Sequence, residues 1–212
     1  MPFTTFERKE ELANILTHGI GVIFSIVATP FLVAQASINT SVLNTLGVAV
    51  YGFSFLFVFA TSTAYHATFD MPYRRVLRII DHISIYVLIA GSYTPFILLF
   101  GESERGYNLL YTLWVLTIFG ALFKIFYTGK LEYFSVAIYL IMGWSIVIMP
   151  DEFFNRIPDL CLTFLWTGGF FYTTGVIFYL RDKMKFNHAI WHVFVLMGGI
   201  FHFFAIGVAV VK

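Results

Sequence analysis

A chain of 212 residues that is 59% hydrophobic, 20% aromatic and only 12% charged carries about half the charge of an ordinary soluble domain. A soluble protein of this size has too small an interior to bury that much apolar surface, so the lipid bilayer is its solvent. A net charge of +1 argues against nucleic acid as a partner, and the single cysteine, Cys161, excludes an internal disulfide and a thiolate-rich metal cluster.

In chain order, Glu7-Arg8-Lys9-Glu10-Glu11 leads into an apolar run too long for a signal-peptide core and without a small-residue cleavage site, so no signal peptide is expected. A helix needs about 20 apolar residues to cross a bilayer. Seven such runs fall at 12–36, 42–65, 79–100, 107–126, 133–149, 160–180 and 188–211, giving one all-α, seven-transmembrane-helix domain over 1–212. Turn-forming residues join them: Ser37-Ile38-Asn39-Thr40, Asp70-Met71-Pro72, Gly101-Glu102-Ser103, Thr128-Gly129-Lys130, Pro150-Asp151 with Pro158, and the charged stretch Arg181-Asp182-Lys183-Met184-Lys185. Pro30 and Pro95 are expected to kink or end their segments. Cys161 reads as a small apolar residue near the outer face.

Lys and Arg accumulate in cytoplasmic loops. Arg8, Lys9, Arg74, Arg75, Arg78, Lys124, Lys130, Arg181, Lys183 and Lys185 fall on one side, and Arg105, Arg156 and Lys212 on the other. That distribution places the N-terminus in the cytoplasm and the C-terminus outside. The second segment then ends at the cytoplasmic face in Ser62-Thr63-Ala64-Tyr65-His66, the third begins there with Asp81-His82, and the seventh begins there with His188 and His192.

Imidazoles four residues apart on a helix stack on one face, so His188 and His192 have metal-ligand spacing, and His66 is the expected third ligand. Three neutral imidazoles with an open position describe a catalytic zinc site better than a structural one. Asp81 would orient a water and act as general base, with Ser62, one turn from His66, donating to a developing oxyanion. Each residue also has a plain reading. The histidines would bond to loop carbonyls, Asp81 would pair with Arg78, and Ser62 would bond to a neighbouring helix carbonyl.

The pattern Ser62-x3-His66, Asp81 and His188-x3-His192, together with Glu11-x2-Asn14-x2-Thr17-His18 and Gly91-Ser92-Tyr93-Thr94-Pro95, resembles the hemolysin III family, the bacterial branch of the progestin and adipoQ receptors. The resemblance covers nearly the whole chain. It implies a zinc held by three histidines and, through the alkaline ceramidases of the wider superfamily, hydrolysis of amide-linked lipids. It also favours Asp81 over its neighbour His82 for the metal-facing role, since adjacent helical residues point about 100° apart.

His18 is a candidate to orient a ligand or Asp81, and Glu11 and Asn14 are candidates to cap or anchor the first helix. His202 lies ten residues beyond His192, about 15 Å along a helix. It stays out of reach of the same metal unless the helix breaks at Gly198-Gly199. The many phenylalanines face lipid, pack between helices or line an acyl-chain cavity. Two functions of different class remain: a zinc-dependent hydrolase of amide- or ester-linked lipids in the cell membrane, and a cytolytic pore former or receptor-like sensor in which zinc is structural. Membrane lipids are the expected partners.

Overall fold

The computed structural model describes residues 4–181 and 183–211. Asp182, in the charged connecting stretch, and Lys212, used in the charge argument, lie outside the described residues. Among the described residues there is no strand, and the helices run α1 (Thr5–Asn39), α2 (Val42–Ala67), α3 (Met71–Phe100), α4 (Glu104–Tyr127), α5 (Glu132–Trp144), α6 (Asp151–Phe154), α7 (Asp159–Tyr179) and α8 (Asn187–Val210). Six of these, α1 to α4 with α7 and α8, are long and apolar enough to cross a membrane. The fifth apolar segment is shorter: α5 tightens into a 3-10 turn over Ser145–Ile148.

Two helices begin well before their apolar runs, and both differences matter for the site. The Thr4 hydroxyl accepts the Glu7 N–H while the Glu7 carboxylate accepts the Thr4 N–H, a capping box that starts α1 at Thr5 and makes the acidic stretch helical. In α3, Pro72 sits in the first turn, where a missing N–H costs nothing. Arg74 and Arg75, expected in a loop, therefore stand on the helix together with Arg78.

Both helices pass through their prolines, Pro30 and Pro95, without ending, and α8 runs unbroken past Gly198 and Gly199. Cys161 is buried and its thiol donates to the Ala205 carbonyl at 3.2 Å, tying α7 to α8.

The strongest packing joins α7 to α8, α2 to α3 and α1 to α2, with α4 on α3 and α8 on α1. Hydrophobic transfer does not drive apolar helices together in lipid, so close approach at small residues does. A Cβ at Gly199 would meet Phe55 at 2.3 Å, and one at Gly21 would meet Phe59 at 2.4 Å. Each glycine is thus a recess for a ring of α2. By contrast α5 touches α3 and α7 sparsely, and an internal cavity lies on that side. Phe31, Phe53, Phe126 and Ile141 point outward, 62–74% exposed, as lipid-facing side chains do.

Candidate metal centre

The end of the bundle that collects the basic residues also collects the histidines. Ring nitrogens of His66, His188 and His192 lie within 4.8 Å of one another. The Nε2 atom of each is buried without a hydrogen-bond partner. Three orphaned imidazole nitrogens converging on one point are costly unless something takes their lone pairs. A metal cation is the kind of group that would do so.

The first helix prepares two of those lone pairs. Glu11 Oε2 lies 2.6 Å from His66 Nδ1, and a carboxylate only accepts, so Nδ1 carries the proton and Nε2 is the bare nitrogen. The Asn14 amide rests against the same Nδ1 at 3.3 Å. Thr17 donates its hydroxyl proton to the carbonyls of Ala13 and Asn14, at 2.9 and 3.0 Å. Its oxygen can therefore only accept from His192 Nδ1, 3.3 Å away, which again leaves Nε2 free. A ligand histidine that gives its other N–H to an oxygen has both its tautomer and its ring orientation fixed.

Neighbouring elements hold this arrangement in place. Arg74 pairs with the second oxygen of Glu11 and donates to the Tyr65 and Thr68 carbonyls at the end of α2. The Glu10 carboxylate accepts the Phe186 N–H at 2.9 Å, and the Phe6 ring meets that of Phe186 edge-on. Phe186, at φ 56, sets the chain turning into α8, so α1 fixes where His188 and His192 begin. His18 packs flat on His192, ring centroids 3.5 Å apart, with its other side edge-on to Phe59. It is a wall behind the cluster and not one of the three convergent rings.

Asp81 is buried and lines the cavity with His18 and His188. It is not ion-paired with Arg78, whose guanidinium lies 4.0 Å from Glu132 instead. The Ser62 hydroxyl is buried and bonds to no helix carbonyl; it interacts with the Asp81 carboxyl short of a full hydrogen bond. His82 donates from Nδ1 to the Arg78 carbonyl at 2.7 Å, with Nδ1 also 3.9 Å from Asp81 Oδ2 and Nε2 3.8 Å from Glu132, and is not one of the three clustered rings. His202 donates from Nε2 to the Leu165 carbonyl at 3.3 Å and stays apart from the cluster.

The mouth and the cavity meet at this level. An open vestibule of about 840 Å³ is lined by Glu7, Glu10, Glu11, Arg78 and Glu132 among others. Beyond it, a cavity of about 160 Å³ runs between α3, α5, α7 and α8. His82, Tyr179 and His188 border both spaces and form the neck. One space is open and charged and the other is largely apolar, with His188 of the cluster on the border between them.

Sequence reasoning missed Thr17, Arg74 and the pair Lys124–Glu132. Lys124, counted as a loop charge, is fully buried in α4 and bonds to Glu132 at 2.8 Å. The spacing Glu11, Asn14, Thr17 and His18 on one helical face carried the signal for Thr17.

Fold and site together define a multi-pass helical membrane protein whose buried histidine cluster, at one end of the bundle, is suited to a metal. The chain belongs to the haemolysin-III-related family, whose profile matches residues 6–203. It is 40% identical over 201 residues to a hemolysin-3 homolog of Bacillus subtilis, covering 95% of this chain and 94% of that one. Hemolysin-3 of Bacillus cereus is 39% identical, over 93% of this chain and 90% of its own. The human monocyte to macrophage differentiation factor is 27% identical, over 93% and 83%. No solved structure matches the chain significantly.

Proposed function

We propose that this protein is a zinc-dependent intramembrane hydrolase of amide- or ester-linked lipids. The observation that carries the reading is a three-histidine cluster that borders a largely apolar cavity through His188, with a buried carboxylate, Asp81, in the same cavity wall. His66, His188 and His192 would hold the ion. Zinc so bound supplies Lewis acidity and brings the pKa of water to about 7; histidine-only ligation suits it better than magnesium, calcium or manganese.

The chain's own residues do the rest. Glu11 and Thr17 hold the His66 and His192 rings with Nε2 inward. Asp81 takes the proton of the attacking water and returns it to the leaving amine or alcohol, and Ser62 donates to the oxyanion that develops at the scissile carbonyl. The apolar walls seat an acyl chain and keep bulk water to the vestibule, from which water enters past His82 and Tyr179. In this reading all seven segments cross the cell membrane, the fifth as Glu132–Ile148, roughly 28 Å of α and 3-10 helix against a hydrocarbon core of about 30 Å. The vestibule and N-terminus face the cytoplasm.

The test is fatty-acid release from a panel of ceramides, N-acyl amines and phospholipids by the purified, zinc-loaded protein. Release that disappears in Asp81→Asn, with metal retained, supports the reading. A zinc-loaded wild type that releases nothing from any of them refutes the hydrolase and leaves the metal centre standing. Cytolysis, which the name of the Bacillus cereus relative carries, would need a polar path across the bundle, and the apolar cavity walls beyond the neck oppose one.

A further inference from the structure

The deep end of the cavity is not uniformly apolar. Two polar rings face it, Tyr172 from α7 and His202 from α8. The Tyr172 hydroxyl and His202 Nδ1 are both buried and both without a hydrogen-bond partner. In a lipid-embedded bundle such atoms are expensive unless a ligand or water meets them.

Their placement is built into the helix packing. The Tyr172 ring lies where a Cβ on Gly198 would be, 2.9 Å from its position, and the His202 ring occupies the space over Gly168, 2.2 Å from the corresponding Cβ. Gly168 and Tyr172 are one turn apart on α7, and Gly198 and His202 one turn apart on α8. Each helix thus offers a glycine to the other's polar ring, and the two rings meet edge-on at a centroid distance of 5.3 Å. Any side chain at either glycine would displace a ring.

The two free atoms are chemically opposite. His202 gives its Nε2–H to the Leu165 carbonyl, so Nδ1 holds a lone pair and accepts. The Tyr172 hydroxyl, with nothing bonded to it, has a proton to donate. A hydroxyl group answers both, accepting from Tyr172 and donating to His202; a carbonyl answers one, and a methylene neither. The cavity is an order of magnitude larger than the roughly 10–15 Å³ that one water requires, so a chain carrying the hydroxyl fits where a lone water would leave it mostly empty.

We infer that Tyr172 and His202 form a second recognition point, selecting lipid chains that carry a hydroxyl partway along their length, about 15 Å from the histidine cluster as measured along α8. The inference deepens the hydrolase reading and rests on its assignment of the cavity to an acyl chain. It assigns Tyr172 and His202 to specificity, with no part in bond cleavage.

The test is binding, not turnover. Ricinoleic acid and oleic acid differ by one mid-chain hydroxyl, and each competes with a fluorescent fatty acid for the purified full-length protein in nanodiscs. Comparing the ratio of the two affinities between wild type and variants cancels differences in bilayer partitioning. The wild-type ratio should favour ricinoleic acid by about tenfold more than the ratio in Tyr172→Phe or His202→Leu, with oleic acid bound equally by all three. Tyr172→Phe keeps the ring on Gly198 and reports even if His202→Leu folds poorly. The same ratio in wild type and Tyr172→Phe, with oleic acid bound, overturns the second recognition point alone. Failure of both acids to compete overturns the acyl-chain cavity as well.

Discussion

The two sides of the bundle are packed in opposite ways. On the α1–α2–α8 side, rings of one helix fill glycine recesses of another, and Phe55, Phe59 and His192 are almost wholly buried. On the α3–α5–α7 side, contacts are sparse and a cavity remains. The tight side carries the three histidines and the α1 residues that orient them. The loose side carries space. A metal centre needs ligands held within a few tenths of an ångström, whereas a hydrophobic ligand needs volume and a way in. The two halves suit these two demands, and in the proposed hydrolase Asp81 stands where they meet.

Substitutions at that seam and on either side of it separate the two roles. Asp81→Asn should lower turnover of a hydrolysable lipid by roughly 10²- to 10⁴-fold while leaving metal content unchanged, read by fatty-acid release beside metal analysis. Glu11→Gln keeps the shape but weakens the hold on His66 Nδ1, and should raise the metal dissociation constant by about 10- to 100-fold, measured by chelator competition. Packing on the tight side is tested by Gly199→Ala, whose new Cβ would meet Phe55 at 2.3 Å; the expected cost is about 1–3 kcal/mol, seen as a lower unfolding temperature in detergent. On the loose side, a Cβ at Gly143 of α5 meets nothing within 4 Å. Gly143→Ala should therefore change stability by no more than about 0.5 kcal/mol. Equal losses at Gly199 and Gly143 would contradict the division.

Much of the histidine end was legible because ionisable residues are rare in membrane segments and residues four apart share one helical face. His66, His188 and His192 required only that segments two and seven share an end, which the Lys and Arg distribution supplied. The supporting residues were harder to read. Glu11 looks like a surface charge until the capping box at Thr4 is seen to carry the helix back over it. Arg74 and Lys124 look like loop charges, yet one clamps Glu11 and the other is fully buried against Glu132. Charge counting treats them as solvent-exposed markers, and tertiary pairing is invisible to it. Helical rise sets His202 apart from the three clustered histidines, but the unpaired His202 Nδ1 and Tyr172 hydroxyl depend on glycine recesses that no local pattern reveals.

In the proposed function, three histidines drawn from two helices distant in sequence form one metal centre. Metal analysis by mass spectrometry of the detergent-purified protein tests it most directly, with wild type measured beside His66→Ala, His188→Ala and His192→Ala and folding checked by circular dichroism. About one zinc ion per wild-type chain is expected, lost from each of the three variants. A folded wild type without metal, or variants that keep it, would rule out the three-histidine metal centre.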